Sequence, residues 1–157
     1  MADYFLKIKE LPGESEDSKH KGEIEILSYS WGVSQAGSFG AGGGGGSSKA
    51  NFQDISFSYV LNKASPLIMK ACATGQHIKE ALLVCRKAGG EQQEYLELKF
   101  SDLIVSSYQT GGSGDIPIDS FSLNYSKCEV AYKPQKADGS LDAPIKAGYD
   151  LKAIKAI

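Results

Sequence analysis

The chain has 157 residues, of which 41% are hydrophobic and 23% are charged, and its formal net charge is −2. This length and composition suit a single soluble domain that buries a core without disulfides or metal. Of its 17 basic residues only Arg86 is an arginine, whereas nucleic-acid-binding proteins normally present a basic, arginine-rich surface. The composition therefore argues against a nucleic-acid partner.

Three cysteines, Cys72, Cys85 and Cys128, lie far apart, each in an apolar segment. Such cysteines are usually small buried hydrophobes rather than metal ligands or redox groups. The opening residues MADYFLKIKE lack the basic and apolar regions of a secretory signal. No apolar run approaches the roughly 20 residues that cross a bilayer. We therefore expect folding in a reducing cytosol, no membrane insertion, and another route if the chain is exported.

Apolar alternation predicts a sheet protein, with strands at 4–9, 24–35, 52–61, 78–87, 93–107 and 116–134. The second strand changes phase midway. Ile24 and Ile26 share one parity, whereas Leu27, Tyr29 and the odd-numbered apolar residues that follow share the other. A bulge or bend near Ile26-Leu27 is therefore expected, which is typical of barrels and of sandwiches with corners.

One helix is predicted at about 65–75. Ser65 suits the N-cap, Pro66 the first helical position and Gly75 the C-terminal stop. The predicted fold class is therefore all-β, with six or more mostly antiparallel strands, one α-helix and a long glycine-rich loop.

That loop, residues 36–50, holds a run of five glycines from Gly42 to Gly46. Long loops without secondary structure are uncommon in compact domains and are usually functional or disordered. A phosphate-binding loop would need a lysine directly after glycine and a helix after that, but Lys49 follows two serines and precedes a predicted strand. The loop is therefore interpreted as an arm of one folded domain.

Enzymatic motifs are absent from the sequence. His20 and His77 have no partner at metal-ligand spacing, and no serine lies in a G-x-S-x-G elbow. A hydrolase using some pair of carboxylates stays open as a weak alternative, because 19 acidic residues always offer a pair. We predict no enzyme activity, no cofactor and no metal.

Small hydroxyl side chains alternate with the apolar residues of several strands. They are Ser28, Ser30, Ser56, Ser58, Ser120 and Ser122. Serine is an indifferent strand former, so the pattern is unusual for an ordinary solvent face. It indicates either a plain exposed face or a polar surface of small side chains against which something large packs.

Several ordered segments resemble the Hcp family, the haemolysin-coregulated proteins of bacterial type VI secretion. They are LSYSWGVSQAGS before the glycines, NFQDISFSYVLNKASPLIMKACATGQHIKEA, RKAGGEQQEYLELKFSDLIVSSYQTGGSG and VAYKPQKADGS. The resemblance covers almost the whole chain and departs only within the glycine arm and after Tyr149.

The resemblance implies a small β-barrel or two-sheet barrel that forms hexameric rings, similar in fold to the tail-tube proteins of contractile phages. The rings would stack into a tube that is assembled in the bacterial cytoplasm and exported without a cleavable signal. It implies as partners the chain itself, the type VI sheath, spike and baseplate proteins, and effectors carried in the ring lumen.

From this we predict a barrel domain at 1–134 that includes the arm, and a tail at 135–157 that is ordered on the ring or ends in a short strand. Lumen and cargo candidates are Ser28, Ser30, Ser56 and Ser58. Candidates for a ring-stacking arm are Ser38, Phe39, Gly42, Gly44, Gly46 and Lys49. The alternative function is a monomeric β-barrel that binds a small apolar ligand inside.

Overall fold

The computed structural model of the chain describes residues 3–37, 50–87 and 92–157. The secondary structure of these ranges is β1 Asp3–Lys7, β2 Ile24–Ile26, β3 Ser28–Ser30, β4 Val33–Gln35, β5 Ala50–Phe52, β6 Ile55–Val60, α1 Ser65–Thr74, β7 Ile78–Arg86, β8 Glu94–Gly111, β9 Ile118–Tyr132, β10 Ile145–Asp150 and β11 Lys155–Ala156. The predicted all-β class with a helix near 65–75 is confirmed.

The main sheet is antiparallel and runs in the order β11-β10-β9-β8-β7-β1-β2. β6 also pairs with β9, and β3 pairs with β6. Because Leu27 alone separates β2 from β3, the ladders run from β9 through β8, β7 and β1 to this strand pair and then through β6 back to β9. This circuit surrounds the apolar core, and Leu27 is the break in it.

The predicted change of phase at Ile26-Leu27 is confirmed, but the residue that turns outward differs from the expected one. Ile24 and Ile26 are buried, Leu27 and Ser28 both face outward, and Tyr29 returns to the inner side. The N–H of Leu27 still donates to the carbonyl of Ser58 at 2.8 Å. Leu27 was expected on the buried face with Tyr29; it lies outside because two consecutive residues face solvent at the bend.

The helix α1 ends as predicted but does not begin as predicted. Gly75 adopts the left-handed conformation (φ 65°) that terminates a helix, and Pro66 lies in the first turn. The N-cap is Ala64, which makes no side-chain capping bond. Ser65 is the first helical residue, and its hydroxyl instead lies 2.9 Å from the buried hydroxyl of Tyr59.

In the interior, a buried carboxylate at the start of β9 contacts side chains near the ends of β6 and β8. Asp119 on β9 is fully buried and accepts hydrogen bonds from Tyr59 on β6 and Tyr108 on β8, at 3.1 and 2.7 Å. Around this group the core is aromatic, with Phe57 and Phe121 in contact at 5.1 Å between ring centroids. Its Oδ2 thus has two hydrogen-bond partners in an otherwise apolar interior, whereas its Oδ1 is buried without one among the described residues.

The charged loop between β1 and β2 is anchored by the chain's one arginine. Arg86 is only 3% exposed, and it donates through both terminal nitrogens to Asp17 in the loop and through Nε to Asp3 at 3.1 Å. Its guanidinium lies 4.7 Å from the centre of the Phe5 ring. The hydrogen bonds from Arg86, chief among the causes, lower the pKa of Asp17 to about 2.

His20 makes a second anchor for the same loop. It lies between Lys19 and Lys21, yet it is buried and stacks on Phe5 with ring centroids 4.4 Å apart. Its two ring nitrogens lie 2.9 Å from Glu23 and 3.0 Å from Glu94 on β8. Glu94 is 74 residues from His20 along the chain, so local composition alone cannot indicate the burial.

The last strands continue the main sheet. β10 pairs along β9, from Ile145 opposite Tyr132 to Asp150 opposite Lys127, and β11 turns back onto β10. Residues 145–156 are therefore part of the same sheet as the preceding strands. A further role of this tail on a neighbouring subunit stays a prediction.

β4 and β5 form a separate two-stranded hairpin at the base of the glycine arm. Their register places Gln35 opposite Ala50, so the two ends of the arm leave the structure side by side. Phe52 of β5 stacks on Tyr149 of β10, with ring centroids 5.0 Å apart. The base of the arm is thus held against the C-terminal part of the sheet.

Candidate functional site

The serines predicted on alternate strand positions are brought side by side by the strand register. Ser28 and Ser30 of β3 lie opposite Ser58 and Ser56 of β6. These in turn lie opposite two serines of β9, and the ladder continues to β8. Two rows result, one of Ser30, Ser56, Ser122 and Ser107 and the other of Ser28, Ser58, Ser120 and Gln109.

We call this surface the serine face, defined by Ser28, Ser30, Ser56, Ser58, Ser106, Ser107, Ser120 and Ser122. Its strands turn their other side to the core, where Phe57 and Phe121 are buried at 2% and 1% exposure. Because the packed interior fixes every second residue of a strand, the hydroxyls between them are fixed on the outer side. The face is therefore a surface on rigid elements rather than on loops.

Hydrogen bonds between hydroxyls connect neighbouring strands across this face. The Oγ atoms of Ser28 and Ser58 are 2.7 Å apart, and Ser122 lies 2.5 Å from Ser107 and 2.7 Å from Ser106. Each hydroxyl can donate and accept, so such a network leaves further donors and acceptors for water or for a passing surface.

One edge of the serine face carries an acidic group. Asp54 accepts a hydrogen bond from Ser106 at 2.7 Å and another from the Asn124 side-chain amide at 2.8 Å. These contacts hold the carboxylate on the outer side of β9. Apart from this group the two rows are uncharged, so the face offers many weak polar contacts rather than one strong site.

The alternation in the sequence indicated six of the eight serines of this surface, four of which were named as lumen candidates. The four candidates Ser28, Ser30, Ser56 and Ser58 lie together on it, whereas Ser106 and Ser107 were missed. The register of β8 against β9 shifts between Val105 and Ser107, so two consecutive serines face outward where simple alternation would place one inside. The adjacent serines within an apolar strand were the signal that could have indicated this bulge.

The arm candidates Ser38, Phe39, Gly42, Gly44, Gly46 and Lys49 all lie outside the described residues. Only the β4–β5 hairpin from which the arm leaves is described. The assignment of these residues to ring stacking therefore stays a prediction.

The cysteines lie where their apolar surroundings indicated. Cys85 and Cys128 are buried and Cys72 is partly buried, and all three are free thiols. Burial raises the pKa of Cys85 to about 11, which keeps its thiol protonated and unreactive near neutral pH.

Neither metal nor membrane features accompany the serine face. Within 3–37, 50–87 and 92–157, no three His, Cys, Asp or Glu side chains are grouped so as to hold a metal ion. Across the same part of the chain, no helix has the length and apolarity that a membrane crossing requires.

Comparison with known proteins identifies the family. The family described as "Type VI secretion system effector, Hcp" matches residues 5–132. Protein hcp1 of Pseudomonas aeruginosa is 47% identical over 154 residues, which is 96% of this chain and 95% of that protein. The chain belongs to the Hcp family.

Solved structures agree with this assignment. The crystal structure of Hcp1 from Salmonella typhimurium superimposes with a TM-score of 0.81 at 38% identity, over 100% of both chains. That of a type VI secretion system effector from Yersinia pestis gives a TM-score of 0.78 at 34% identity, over 94% of this chain and 99% of that one. Membership makes the chain a tube protein of the type VI secretion system rather than an enzyme. Hcp proteins are secreted by this system.

Proposed function

We propose that this chain forms hexameric rings that stack into the inner tube of the type VI secretion system, and that the serine face lines the ring lumen and carries effectors. The observation that carries the proposal is the register of the serines, which with the bulge at Ser106 gathers eight serines on the outer side of rigid strands, although Ser122 among them is only 8% exposed. Small side chains keep a lumen wide. Hydroxyls that are already hydrogen-bonded to one another keep it wet without binding a passenger tightly.

Assembly fits the family and the sheet. A ring needs two different patches that meet in a closing, heterologous contact. Folding and assembly in the bacterial cytoplasm would precede export, with the sheath, spike and baseplate proteins of the system as further partners. The glycine arm would contact the next ring of the stack.

The first experiment measures mass in solution by size-exclusion chromatography with light scattering. A hexamer is expected. A monomer at every concentration would contradict the assembly and would favour the alternative, a barrel that binds a small apolar ligand. No observation supports that alternative, because core side chains such as Phe57, Phe100 and Phe121 occupy the interior.

The second experiment tests the lumen assignment with Ser30→Gln. Ser30 is exposed on β3 and faces Ser56, so the longer side chain projects into the proposed lumen without disturbing the core. The hexamer should persist, whereas co-purification of an effector should fall, by about tenfold if about 1.4 kcal/mol of contact is lost.

A matched control is Ser18→Gln, which places the same side chain on an exposed residue of the loop between β1 and β2. This variant should retain the effector at the wild-type level. Unchanged retention in the Ser30→Gln variant, with the hexamer intact, would remove Ser30 from the cargo surface. Loss of the effector in both variants would show that the effect does not depend on the serine face.

A further inference from the structure

A small cleft opens beside the bend at Leu27, at one end of the serine face. It has a volume of about 350 Å³, and we define it by Glu14, Glu25, Leu27, Val60 and Leu61. Three of the aliphatic side chains that line it are exposed, Leu27, Val60 and Leu61, at 55%, 38% and 45%. Exposed aliphatic residues that cluster at a concave place are typical of an interaction site.

The charge of this cleft is negative. Glu14 and Glu25 line it and are both exposed. Glu14 accepts the backbone N–H of Lys63 at 2.9 Å, and neither glutamate forms a salt bridge within the described residues. A complementary partner would therefore present an aliphatic side chain together with positive charge.

The chain presents such a group at the turn between β10 and β11, residues 151–155, which we call the C-terminal turn. Ile154 is 55% exposed, and Lys152 and Lys155 on either side of it are exposed as well. The aliphatic residue and its two flanking cations match the aliphatic cleft and its two glutamates.

Backbone conformation singles out the same residue. Ile154 has φ 56°, a left-handed conformation that a β-branched residue adopts only under strain. Glycine or asparagine would fit this turn without that cost. A strained, exposed isoleucine gives the fold no evident benefit, which points to a contact outside the subunit as the reason for its presence.

The cleft and the turn cannot meet within one chain. Val60 lies opposite Ile118 at the start of β9, whereas Asp150, beside the turn, lies opposite Lys127. These two positions on β9 are separated by nine residues, or about 30 Å of strand at 3.3 Å per residue. A group that fills the cleft must come from another molecule.

We propose that the C-terminal turn of one copy of this chain binds in the cleft of a second copy, with Ile154 against Leu27, Val60 and Leu61 and the lysines near Glu14 and Glu25. This contact joins two different patches, so it repeats from copy to copy, as a heterologous interface does. The inference rests on the proposed self-assembly and names one contact within it.

Cross-linking tests the contact directly. Two variants carry a single new cysteine each, Leu27→Cys and Ile154→Cys, both with Cys72→Ser to remove the partly buried native thiol. A disulfide requires Cα atoms within about 7 Å. Mild oxidation of the two co-expressed variants should therefore give a covalent dimer on a non-reducing gel, whereas each variant alone should give none.

The control pairs Leu27→Cys with Ile145→Cys. Ile145 is 66% exposed and is the first residue of β10, at the opposite end of that strand from the turn, so no cross-link is expected. The proposed contact is wrong if the chains associate but Leu27→Cys and Ile154→Cys do not cross-link. It is also wrong if Leu27→Cys and Ile145→Cys cross-link equally well. In both cases the self-assembly itself is not contradicted. Monomers at all concentrations would overturn the assembly and this contact together.

Charge reversal gives an independent measurement. Glu25→Lys or Lys152→Glu alone should weaken association about tenfold at low salt, because attraction becomes repulsion, and the double variant should recover most of it. The variant Ile154→Asn keeps a residue that tolerates the turn and removes the apolar contact. It should fold at least as stably as the wild type and associate more weakly. Unchanged association in all three single variants would contradict the contact.

Discussion

At the scale of single residues, Asp119 shows how a buried charge is retained in an apolar core. Burial works to raise the pKa of its carboxyl, but the surrounding hydroxyls of Ser65, Thr110, Tyr108 and Tyr59 outweigh burial and lower it below the usual value. The carboxylate is thus ionised in the folded chain near neutral pH. The ionised carboxylate accepts charge-assisted hydrogen bonds, which are stronger than hydrogen bonds between neutral groups.

We predict that Asp119→Asn lowers the free energy of unfolding by about 1–2 kcal/mol at pH 7, which is the difference between hydrogen bonds to a charged and to a neutral acceptor. Urea unfolding followed by circular dichroism measures it. Asp115→Asn, an exposed position in the loop before β9, serves as the control and should leave the stability unchanged.

The pH dependence of this difference follows from the lowered pKa of Asp119. Its stabilisation is fully present above the pKa of the unfolded chain, about 3.9, and is lost as pH falls through the lower pKa of the folded chain. The gap between wild type and Asp119→Asn should therefore be constant above about pH 5 and narrow below pH 4. A gap that stays the same at acid pH would show that the carboxylate charge is not what stabilises the fold.

At the scale of elements, the loop between β1 and β2 is held by Arg86 and His20 rather than by an apolar contact alone. Backbone hydrogen bonds within the loop, such as Gly13 to Gly22 at 2.9 Å and Ser15 to Glu23 at 3.0 Å, close it on itself. The side chains of Arg86 and His20 then join it to β7 and β8.

We predict that Arg86→Met destabilises the chain and increases hydrogen exchange selectively in residues 13–23. Removing one partner of a buried ion pair costs about 3–5 kcal/mol. We expect a loss of stability at the lower end of this range, because the side chains of Asp3 and Asp17 are 35% and 18% exposed and keep contact with water. Lys99→Met, which removes an exposed cation 3.9 Å from Glu80 on the same pair of strands, is the control. Uniform exchange across all strands in Arg86→Met would mean that the arginine stabilises the whole sheet and not the loop.

Features set by neighbouring residues in the chain could be predicted from the sequence, whereas contacts between distant residues could not. Alternation predicted the strands up to residue 134 and the outward position of the serines, and Gly75 predicted the end of α1. Each of these features depends on near neighbours in the chain. The anchors of Arg86 and His20 were missed because Asp17 and Glu94 are 69 and 74 residues away from them. The outward turn of Leu27 was missed because it depends on how two strands join, not on the parity of either.

At the scale of the whole molecule, the glycine arm leaves from a two-stranded sheet, β4–β5, that is separate from the sheet that carries the serine face. Its two ends meet at Gln35 and Ala50 in the β4–β5 hairpin, and Phe52 holds this hairpin against Tyr149. Among the described residues, none of the serine-face strands pairs with β4 or β5. A change in the arm therefore need not change the subunit.

We predict that deleting residues 40–48 leaves the ring intact and weakens the stacking of rings. After the deletion, residues 36–39 and 49 connect the two hairpin strands, which is within the loop lengths of about three to five residues that hairpins commonly use. The deletion thus preserves the hairpin and the Phe52–Tyr149 stack while it removes three of the six candidate stacking residues, Gly42, Gly44 and Gly46. Light scattering measures the ring, and sedimentation at high protein concentration measures the stacks.

The deletion distinguishes an axial from a lateral role because the two assemblies are measured separately. Rings of wild-type mass with fewer stacks would support the axial role. Loss of the ring itself would show that the arm acts between neighbours within a ring, and unchanged stacking would show that the arm takes no part in stacking.

The Ser30→Gln variant is the matched control here, since it alters the proposed lumen and leaves the arm untouched. Its rings should stack as those of the wild type do. Loss of stacking in both variants would mean that stacking also depends on the lumen surface. That result would contradict the claim that the arm and the serine face act independently.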